Sequence, residues 1–364
     1  MKKVIVLHMV RKMELGGIQA LIMDAYRNID KNKVQFHFLV NSKGVYDDEI
    51  IKLGGKIHYM PHITETGPSR YKKNLNNFFK THPEYKILHS HFVHFSGIIV
   101  KVAAKSKIPV IIAHSHNIST KTKGIKKIYK DLIKKNIKKY ATDFFACSLD
   151  AAKYIFEEKY KSATIIKNGI EIEKYKYDSE KRKEIRQELN IDNDTTVIGH
   201  VGRVCKQKNH TFILKIFKEY LKLNPNSKLL LIGDGDLREN IENEIEVSDL
   251  SNKVLFFKEI NACEYYNVMD YFLFPSIYEG LGITLIEAQA NGLPSFTSTA
   301  VPLEANVTGK IHYLDLDKGS KYWANIIYET DKSRYVAYDE IQKSGYDIKD
   351  TARKLEEFYI KKVT

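Results

Sequence analysis

Short apolar segments recur along the whole chain, and this rhythm limits the folds that the sequence can adopt. Each segment is followed by a polar or glycine-containing loop and then by apolar residues at helical spacing. Strands are predicted at residues 4–10, 34–40, 57–60, 87–88, 110–113, 143–146, 196–201, 228–232, 254–257 and 271–274. Strands that alternate with helices in this way form parallel, doubly wound sheets, so the chain is predicted to be an α/β protein.

The rhythm stops once and then starts again, which indicates two domains. The stretch at 172–193 is strongly charged and contains the helical run EKRKEIRQEL. A chain of 364 residues is also longer than one hydrophobic core usually serves. We therefore predict a first domain at 1–175 and a second domain at 176–345. The last helical pattern, at about 346–364, is expected to pack on one of the two sheets, the first-domain sheet included.

The net charge of +13 favours anionic partners: nucleic acid, a nucleotide or an acidic membrane surface. Charge alone does not choose among them. Cys147, Cys205 and Cys263 lie far apart without CxxC spacing, so a reducing cytoplasm is the simplest location. No apolar run approaches the roughly 20 residues that cross a bilayer, and the first strand is too short and too interrupted to resemble a signal peptide.

The stretch at 275–292, PSIYEGLGITLIEAQANG, carries the strongest functional pattern. A helix is predicted to begin at about Leu281, beside Gly280 and Gly282, where bare backbone, unpaired N–H groups and the positive end of the helix dipole favour a bound phosphate. Glu279 precedes this helix and Glu287 lies inside it, so two carboxylates would flank the phosphate and accept hydrogen bonds from sugar or ribose hydroxyls. On spacing alone, Glu279 could instead be a solvated loop residue and Glu287 could pair with a lysine.

Two further turns between a strand and a helix have the composition of phosphate-binding loops. Arg203 and Lys208 follow the first strand of the second domain, where a guanidinium and an ammonium could hold one diphosphate. Gly16 and Gly17 precede the first helix of the chain. A basic surface loop and an ordinary strand-to-helix turn are equally simple interpretations of the two sequences.

Histidines follow two predicted strands of the first domain, in His89-Ser90-His91 and in the run from His114 to Asn117. Ligands bind beyond the carboxyl ends of such strands, so both clusters are predicted at the functional edge of the sheet. A metal site is the less favoured interpretation, because no acidic ligand accompanies these histidines at a usual spacing.

The segment at 121–140, KTKGIKKIYKDLIKKNIKKY, is predicted to be a basic amphipathic helix. Its lysine face suits an anionic leaflet, whereas its apolar stripe could equally pack on the protein's own core.

With these residues placed, the chain resembles the retaining glycosyltransferases of family 4, which have the GT-B architecture of two Rossmann-like domains facing across a cleft. Glu279 and Glu287 match the E-x7-E motif of that family, and Gly202-Arg203 with Lys208 match its GR-x4-K loop. The resemblance covers nearly the whole chain, and it is greatest to bacterial enzymes that assemble exopolysaccharide or capsule repeats.

The resemblance implies a role for each matched residue. Arg203 and Lys208 would hold the diphosphate of a nucleotide sugar, most simply a UDP-sugar, and would stabilise the leaving nucleotide. Glu279 would contact the transferred sugar and Glu287 the ribose. The remaining implied contacts are the backbone of Gly280, Leu281 and Gly282 to phosphate, the backbone of Ile260 to the base, Gly16 and Gly17 to substrate, and His116, with His114 as the competing match, near the reacting centre.

The implied reaction is transfer of the sugar with retention at its anomeric carbon, without a cofactor or metal. The acceptor would be a glycan or a lipid-linked oligosaccharide, selected by first-domain loops such as 61–74. The enzyme would then lie in the cytoplasm at the inner face of the cell membrane, held there by the basic helix.

Three other functions compete with this interpretation. A sugar-nucleotide epimerase of the same architecture would use similar donor contacts without an acceptor, but would leave the E-x7-E spacing and the basic helix unexplained. Degenerate motif residues would indicate a non-catalytic glycosyltransferase-like subunit, but the motif residues of this sequence are intact. A nucleic-acid-binding protein is suggested by the charge, but the aromatic residues are not interleaved with the basic run in the way that base stacking requires.

Overall fold

The computed structural model describes residues 3–14, 16–92, 95–116, 125–258 and 261–363. The chain forms two compact units. The first comprises Met1–Ile170 and Asp347–Thr364, and the second comprises Glu171–Tyr346.

The first unit is built on a seven-stranded sheet in the order β3-β2-β1-β4-β5-β6-β7. Every neighbouring pair is parallel, and β1, β2, β4 and β5 are almost wholly buried runs of aliphatic and aromatic residues. Such runs suit strands covered on both faces by helices. The strands are β1 (Val4–Met9), β2 (Val34–Val40), β3 (Ile57–Tyr59), β4 (Ile87–Ser90), β5 (Val110–Ser115), β6 (Asp143–Ala146) and β7 (Thr164–Ile165).

The second unit repeats this organisation with six parallel strands in the order β10-β9-β8-β11-β12-β13. In both sheets the first strand lies beside the fourth, so the strand order reverses there. The carboxyl ends of strands at such a reversal form the usual ligand-binding crevice of doubly wound sheets. The strands are β8 (Thr196–Val201), β9 (Ser227–Ile232), β10 (Val254–Phe257), β11 (Tyr271–Phe274), β12 (Ser295–Ser298) and β13 (Ile311–Leu314).

Helices cover both faces of each sheet, and each unit accordingly has two hydrophobic clusters. The helices of the first unit are α1 (Gly17–Asn28), α2 (Asp47–Lys52), α3 (Ile63–Thr81), α4 (Ser96–Lys105), α5 (Ile125–Tyr140), α6 (Leu149–Phe156) and, from the C-terminal segment, α15 (Ile348–Val363). Those of the second unit are α7 (Ile172–Tyr175), α8 (Ser179–Glu188), α9 (His210–Leu223), α10 (Arg238–Val247), α11 (Ala262–Tyr265), α12 (Ile283–Ala290), α13 (Gly319–Glu329) and α14 (Tyr338–Lys343).

The chain leaves the first unit and returns to it at adjacent points. The N–H of Ile348 donates to the carbonyl of Ile170 at 3.0 Å, and a parallel bridge joins Ile170 to Asp347. The first unit therefore ends at Ile170 rather than near residue 175, and α15 packs on the first unit, where Glu356 accepts from the N–H of Asp30 at 2.9 Å.

Residues 61–74, predicted from the sequence to be loops, lie largely in the helix α3. The helix is kinked at Gly67, which has φ 74 and ψ 161, and Pro68 follows. Proline is tolerated there because a first-turn residue after a kink has no intrahelical partner for its N–H. The apolar side of α3, which includes Tyr71 and Leu75, is buried. Gly67 and Pro68 interrupt the helical pattern in the sequence, so α3 was not predicted. Burial of its apolar side stabilises the helix.

Candidate functional site

The loop that follows β8 positions Lys208 close to the end of the sheet. Gly202 begins this loop, and a Cβ atom there would lie 3.0 Å from His200 Nε2 and 3.4 Å from Lys208 Cε. A side chain at this position would therefore crowd the lysine. The loop ends at Asn209, which adopts a left-handed conformation (φ 61) and caps α9, so the lysine lies just before a helix.

Three hydrogen bonds join this loop to the one that follows β11, the neighbouring strand. The N–H of Ile277 donates to the Gln207 carbonyl at 2.8 Å, and Gln207 Nε2 donates to the Tyr278 carbonyl at 2.9 Å. Asn209 Nδ2 donates to the Pro275 carbonyl at 3.2 Å. Gln207 and Tyr278 are 71 positions apart in the sequence. The hydrogen bonds therefore join two distant loops into one platform.

Lys208 and Glu279 form an ion pair on this platform. The distance from Lys208 Nζ to Glu279 Oε1 is 2.7 Å, and the side chains are only 15% and 7% exposed, respectively. The ammonium group also lies 4.3 Å from the centroid of the Phe274 ring, within the range of a cation–π contact. Glu279 is therefore not a solvated loop residue, and the pair is withdrawn from water.

Gly280 leaves the backbone accessible before α12, whereas Gly282 is buried. A Cβ atom at Gly280 would meet no atom within 4 Å, and Gly282 has a φ of 85, a conformation that favours glycine. The helix begins at Ile283, slightly later than the sequence pattern predicted, because Gly282 acts as its N-cap. Partly exposed Leu281 lies between the two glycines. The first-turn N–H groups of α12 lie directly beyond them.

Glu287, one turn inside α12, is held by a tyrosine. The Tyr266 hydroxyl donates to Glu287 Oε2 at 2.7 Å. Burial raises the pKa of Tyr266 well above its ordinary value, and the neighbouring carboxylate adds to this shift. The phenol therefore stays protonated and fixes the carboxylate.

Arg203 has a different environment from Lys208, although both belong to the same loop. Its side chain is 66% exposed, and Nη2 lies 3.4 Å from Asp236 Oδ2. The loop after β9, which carries Asp236, is attached by the Val204 N–H, which donates to the Asp234 carbonyl at 2.9 Å. The structure thus brings Lys208 to Glu279 and leaves the side chain of Arg203 largely exposed to solvent. Ile260 lies outside the described residues.

In the first unit, the predicted residues lie at the carboxyl ends of β1 and β5. Gly16 is the extended N-cap of α1, which begins at Gly17, and a Cβ atom at Gly17 would meet nothing within 4 Å. His114 and His116 are both buried, with ring centroids 3.9 Å apart. Burial lowers the pKa of His116 to about 3, so its ring is neutral at ordinary pH.

His116 contacts a further histidine cluster that the sequence revealed only in part. His116 Nε2 lies 2.9 Å from His91 Nδ1, and His91 Nε2 lies 3.0 Å from His8 Nδ1. The sequence placed His91 at the same edge, but His8 was missed because it is a single polar residue inside an apolar strand. The sequence signal that could have identified His8 is that the neighbouring strands β1 and β4 both carry a histidine.

Among the described residues, the basic helix α5 divides its lysines between two environments. Ile133 and Ile137 are buried in the core, as the apolar stripe predicted. Lys134 and Lys138 pair with Glu157 at 2.9 and 2.5 Å, respectively, whereas Lys135 and Lys139 are exposed. Residues 121–124 of the predicted helix lie outside the described residues. None of the described helices combines the length and apolar composition needed to cross a bilayer.

Comparison with solved structures gives the fold class. The Anabaena protein Alr3699/HepE, crystallised with UDP and glucose, matches with a TM-score of 0.79 at 16% sequence identity, over 98% of this chain and 99% of that chain. The predicted GT-B fold, with two Rossmann-like units, is confirmed.

Comparison of sequences gives the family. The family "Glycosyl transferases group 1" matches residues 181–310. The Bacillus subtilis protein EpsF, named as a glycosyltransferase, is 34% identical in an alignment of length 335 that covers 88% of this chain and 86% of EpsF. The capsular polysaccharide biosynthesis glycosyltransferase CapH of Staphylococcus aureus is 26% identical in an alignment of length 373, gaps included, that covers 98% of this chain and 99% of CapH. The chain therefore belongs to the group 1 glycosyltransferases.

The buried histidine beside Lys208 predicts a loss of stability in acid. Burial, assisted by the Lys208 charge, lowers the pKa of His210 from 6.5 to about 4. Between pH 6.5 and pH 4 the unfolded chain binds a proton at His210, whereas the folded chain does not. The contribution of His210 to stability is therefore present above pH 6.5 and is lost as the pH falls towards 4. In urea unfolding, His210→Phe should reduce the dependence of the unfolding free energy on pH by up to about 1.4 kcal/mol per pH unit in this window.

The same variant provides its own control. At pH 8 the difference between wild type and His210→Phe reports only the change in packing, because His210 is neutral in both states. Parallel stability curves from pH 8 to pH 4.5 would contradict the assigned role of this histidine.

Proposed function

We propose that the protein transfers a sugar from a nucleotide-diphosphate sugar, most simply a UDP-sugar, to a glycan or lipid-linked oligosaccharide during cell-surface polysaccharide synthesis. The observation that carries the proposal is the buried Lys208–Glu279 pair beside the open backbone at Gly280. The relative CapH, named for capsular polysaccharide biosynthesis, supports the pathway, and HepE, crystallised with UDP and glucose, supports the nucleotide.

The donor diphosphate is proposed to bind between Lys208, Arg203 and the amides that begin α12. Lys208 is already held in place by Glu279, so little side-chain entropy is lost when it meets a phosphate. Arg203 is exposed, and its planar fork suits two phosphate oxygens once it leaves Asp236. The Gly280 backbone permits close approach, and the helix dipole stabilises the negative charge.

The two carboxylates are proposed to orient the sugar and the nucleoside. Glu287, held by Tyr266, would accept hydrogen bonds from the ribose hydroxyls. Glu279 would accept from hydroxyls of the transferred sugar through the oxygen that does not contact Lys208. Ile260 would contact the base through its backbone, and on the acceptor side Gly16, Gly17 and the histidines His114 and His116 would line the substrate.

The proposed reaction is a substitution that retains the anomeric configuration. The bond from the anomeric carbon to the diphosphate oxygen breaks, and the electron pair leaves with the phosphate. The acceptor hydroxyl then forms the new bond on the same face, while its proton passes to the departing phosphate oxygen. Lys208 and Arg203 stabilise the negative charge that develops on the diphosphate.

Variants of the donor residues should separate specific contacts from general positive charge. Arg203→Ala, Lys208→Ala and Glu279→Gln should each lower kcat/KM for the nucleotide sugar by about 100-fold or more, because each removes a charge aligned with the reacting groups. The measurement is a radiolabel or coupled assay of glycosyl transfer with the preferred donor, identified from a panel of nucleotide sugars by thermal shift.

Lys206→Ala is the matched control, because Lys206 is an exposed lysine of the same loop. It should keep kcat/KM within about threefold of wild type, since solvent and salt screen the charge of an exposed lysine. Full activity in both Arg203→Ala and Glu279→Gln would contradict the proposed donor site. Proton NMR of the wild-type product should show the anomeric configuration of the donor, and an inverted linkage would contradict the proposed mechanism.

The reaction is also proposed to need no metal ion at the diphosphate, since Lys208 and Arg203 supply positive charge there. Addition of millimolar Mg²⁺ or Mn²⁺ should therefore change the initial rate by less than about twofold, unlike in enzymes that bridge a diphosphate with a metal. The measurement is a titration of each ion at a donor concentration below KM. Activity that depends strongly on either ion would contradict this part of the mechanism.

We further propose that the exposed lysines of α5 hold the enzyme at the anionic inner face of the cell membrane, where lipid-linked acceptors lie. Lys134 and Lys138 are neutralised by Glu157 and Glu158, so among the α5 side chains from residue 133 onward Lys135 and Lys139 are the exposed lysines that would face lipid. Each lysine near an anionic surface contributes about 1 kcal/mol to binding.

Liposome flotation tests this surface. Recovery with vesicles containing phosphatidylglycerol should exceed recovery with phosphatidylcholine alone, and Lys135→Glu/Lys139→Glu should remove most of the difference. The control is Lys215→Glu/Lys218→Glu, which makes the same charge change at two exposed lysines of α9. Equal recovery with both kinds of vesicle, or equal loss in both double variants, would contradict the assignment to α5.

A further inference from the structure

Five histidines lie buried together on one face of the first sheet. Strand β1 supplies His8, β4 and the residue after it supply His89 and His91, and β5 and the residue after it supply His114 and His116. His8 is the register partner of His89, and alternate residues of a strand share a face, so neighbouring strands direct all five rings to the same side. The strand register therefore assembles the cluster.

The polar partners of these rings within the described residues are other imidazoles and one phenol. His8 Nδ1 lies 3.0 Å from His91 Nε2, and His89 Nε2 lies 3.1 Å from His114 Nδ1. The Tyr359 hydroxyl, from α15, lies 2.7 Å from His89 Nδ1. This arrangement concentrates nitrogen lone pairs in an apolar interior. Among the described residues, no carboxylate forms a hydrogen bond or ion pair with these rings.

The cluster also adjoins a small internal cavity. The cavity has a volume of about 10 Å³, and its lining includes the rings of His8, His89, His91 and His114. A cavity of this size is at the lower limit of what holds one water molecule. Within the described residues, His8 Nε2 and His114 Nε2 have no hydrogen-bond partner, although both atoms are buried. Two buried ring nitrogens of the cluster thus have unused bonding capacity.

We propose that His8, His89 and His91 bind one divalent transition-metal ion, with zinc as the ion of first choice. One potential ligand atom from each of the three residues lies within 4.8 Å of the other two. Tetrahedral zinc with bonds of about 2.0–2.1 Å places its ligand nitrogens roughly 3.3 Å apart, so the 3.0 Å pair of His8 and His91 needs only a small separation to bind it. Ligand sets made only of imidazole favour zinc, cobalt, nickel or copper over magnesium and calcium.

The surroundings of the trio resemble those of metal ligands. A ligating histidine usually directs its second ring nitrogen to a hydrogen-bonding group that fixes the ring. His89 does so towards the Tyr359 hydroxyl, and His91 does so towards His116 Nε2, at 2.9 Å. Apolar residues of α1 and α15, including Leu21, Ile22 and Leu355, cover the cavity, which keeps competing water away.

The predicted stoichiometry is one ion for each chain. A second trio, His91, His114 and His116, also brings potential ligand atoms together, but it shares His91 with the first. The trio that borders the cavity is the one assigned here. The ion would tie β1 to β4 and stabilise the first unit, because a metal that binds only the folded chain shifts the folding equilibrium. This role is independent of the proposed sugar transfer.

Metal analysis of the full chain, purified without a histidine tag, tests the proposal. After dialysis against zinc and then against metal-free buffer, the wild type should retain about one equivalent of zinc by mass spectrometry, and His91→Phe should retain less than about a tenth. His82→Phe, a change at a half-buried histidine of the same unit outside the cluster, should behave as wild type. Cobalt in place of zinc should give the visible absorption of a tetrahedral site in wild type and His82→Phe only.

Two results would overturn the proposal, and neither depends on catalytic activity. A folded wild type that binds neither zinc nor cobalt would show that the histidines form only a hydrogen-bonded network. Full retention of zinc in His91→Phe would place the ion elsewhere. If circular dichroism shows that His91→Phe does not fold, His8→Gln replaces it with the same expected loss of metal.

Discussion

The ion pair between Lys208 and Glu279 is the interaction on which the donor side of this enzyme depends. Both side chains are withdrawn from water, and a buried charge is costly unless its partner stays in place. The loops after β8 and β11 must therefore remain aligned, and the hydrogen bonds made by Gln207 and Asn209 provide that alignment. In the proposed donor site, the pair would set where a diphosphate meets the start of α12.

The same principle organises the first unit, with different chemistry. The functional edge of its sheet again lies at the ends of central strands, but there the polar groups are neutral imidazoles rather than charges. Burial lowers the pKa of His8 to about 3 and holds the pKa of His91 well below its usual value, so these rings act through lone pairs and N–H groups. Hydrogen bonding among the rings replaces the solvation that burial removes.

Much of the fold could be predicted from the sequence because buried parallel strands are continuous apolar runs. The two sheets and the restart at β8 follow from this pattern, whereas the GT-B class was implied by the resemblance of the motif residues to a known family. The helix α3 could not be predicted, because Gly67 and Pro68 interrupt its local pattern, and only tertiary packing stabilises it. Boundaries shifted for similar local reasons, as at Gly282, whose left-handed backbone delays the start of α12.

The residues of the proposed donor site could also be predicted from the sequence, whereas the contacts between their side chains could not. The motifs indicated Glu279, Lys208 and Arg203, but not that Lys208 contacts Glu279 while Arg203 extends to Asp236. Such contacts join residues far apart in the sequence, and periodicity carries no information about them. His8 illustrates the same limit, since its partner His91 is 83 positions away.

A double-mutant cycle on Lys208→Ala and Glu279→Ala tests this account most directly. Unfolding free energies of the wild type, both single variants and the double variant give the coupling between the two side chains. We predict a coupling of at least about 1.5 kcal/mol without ligand, which falls when saturating UDP draws Lys208 towards phosphate. A coupling within about 0.3 kcal/mol of zero in the free enzyme would contradict the central role of the pair.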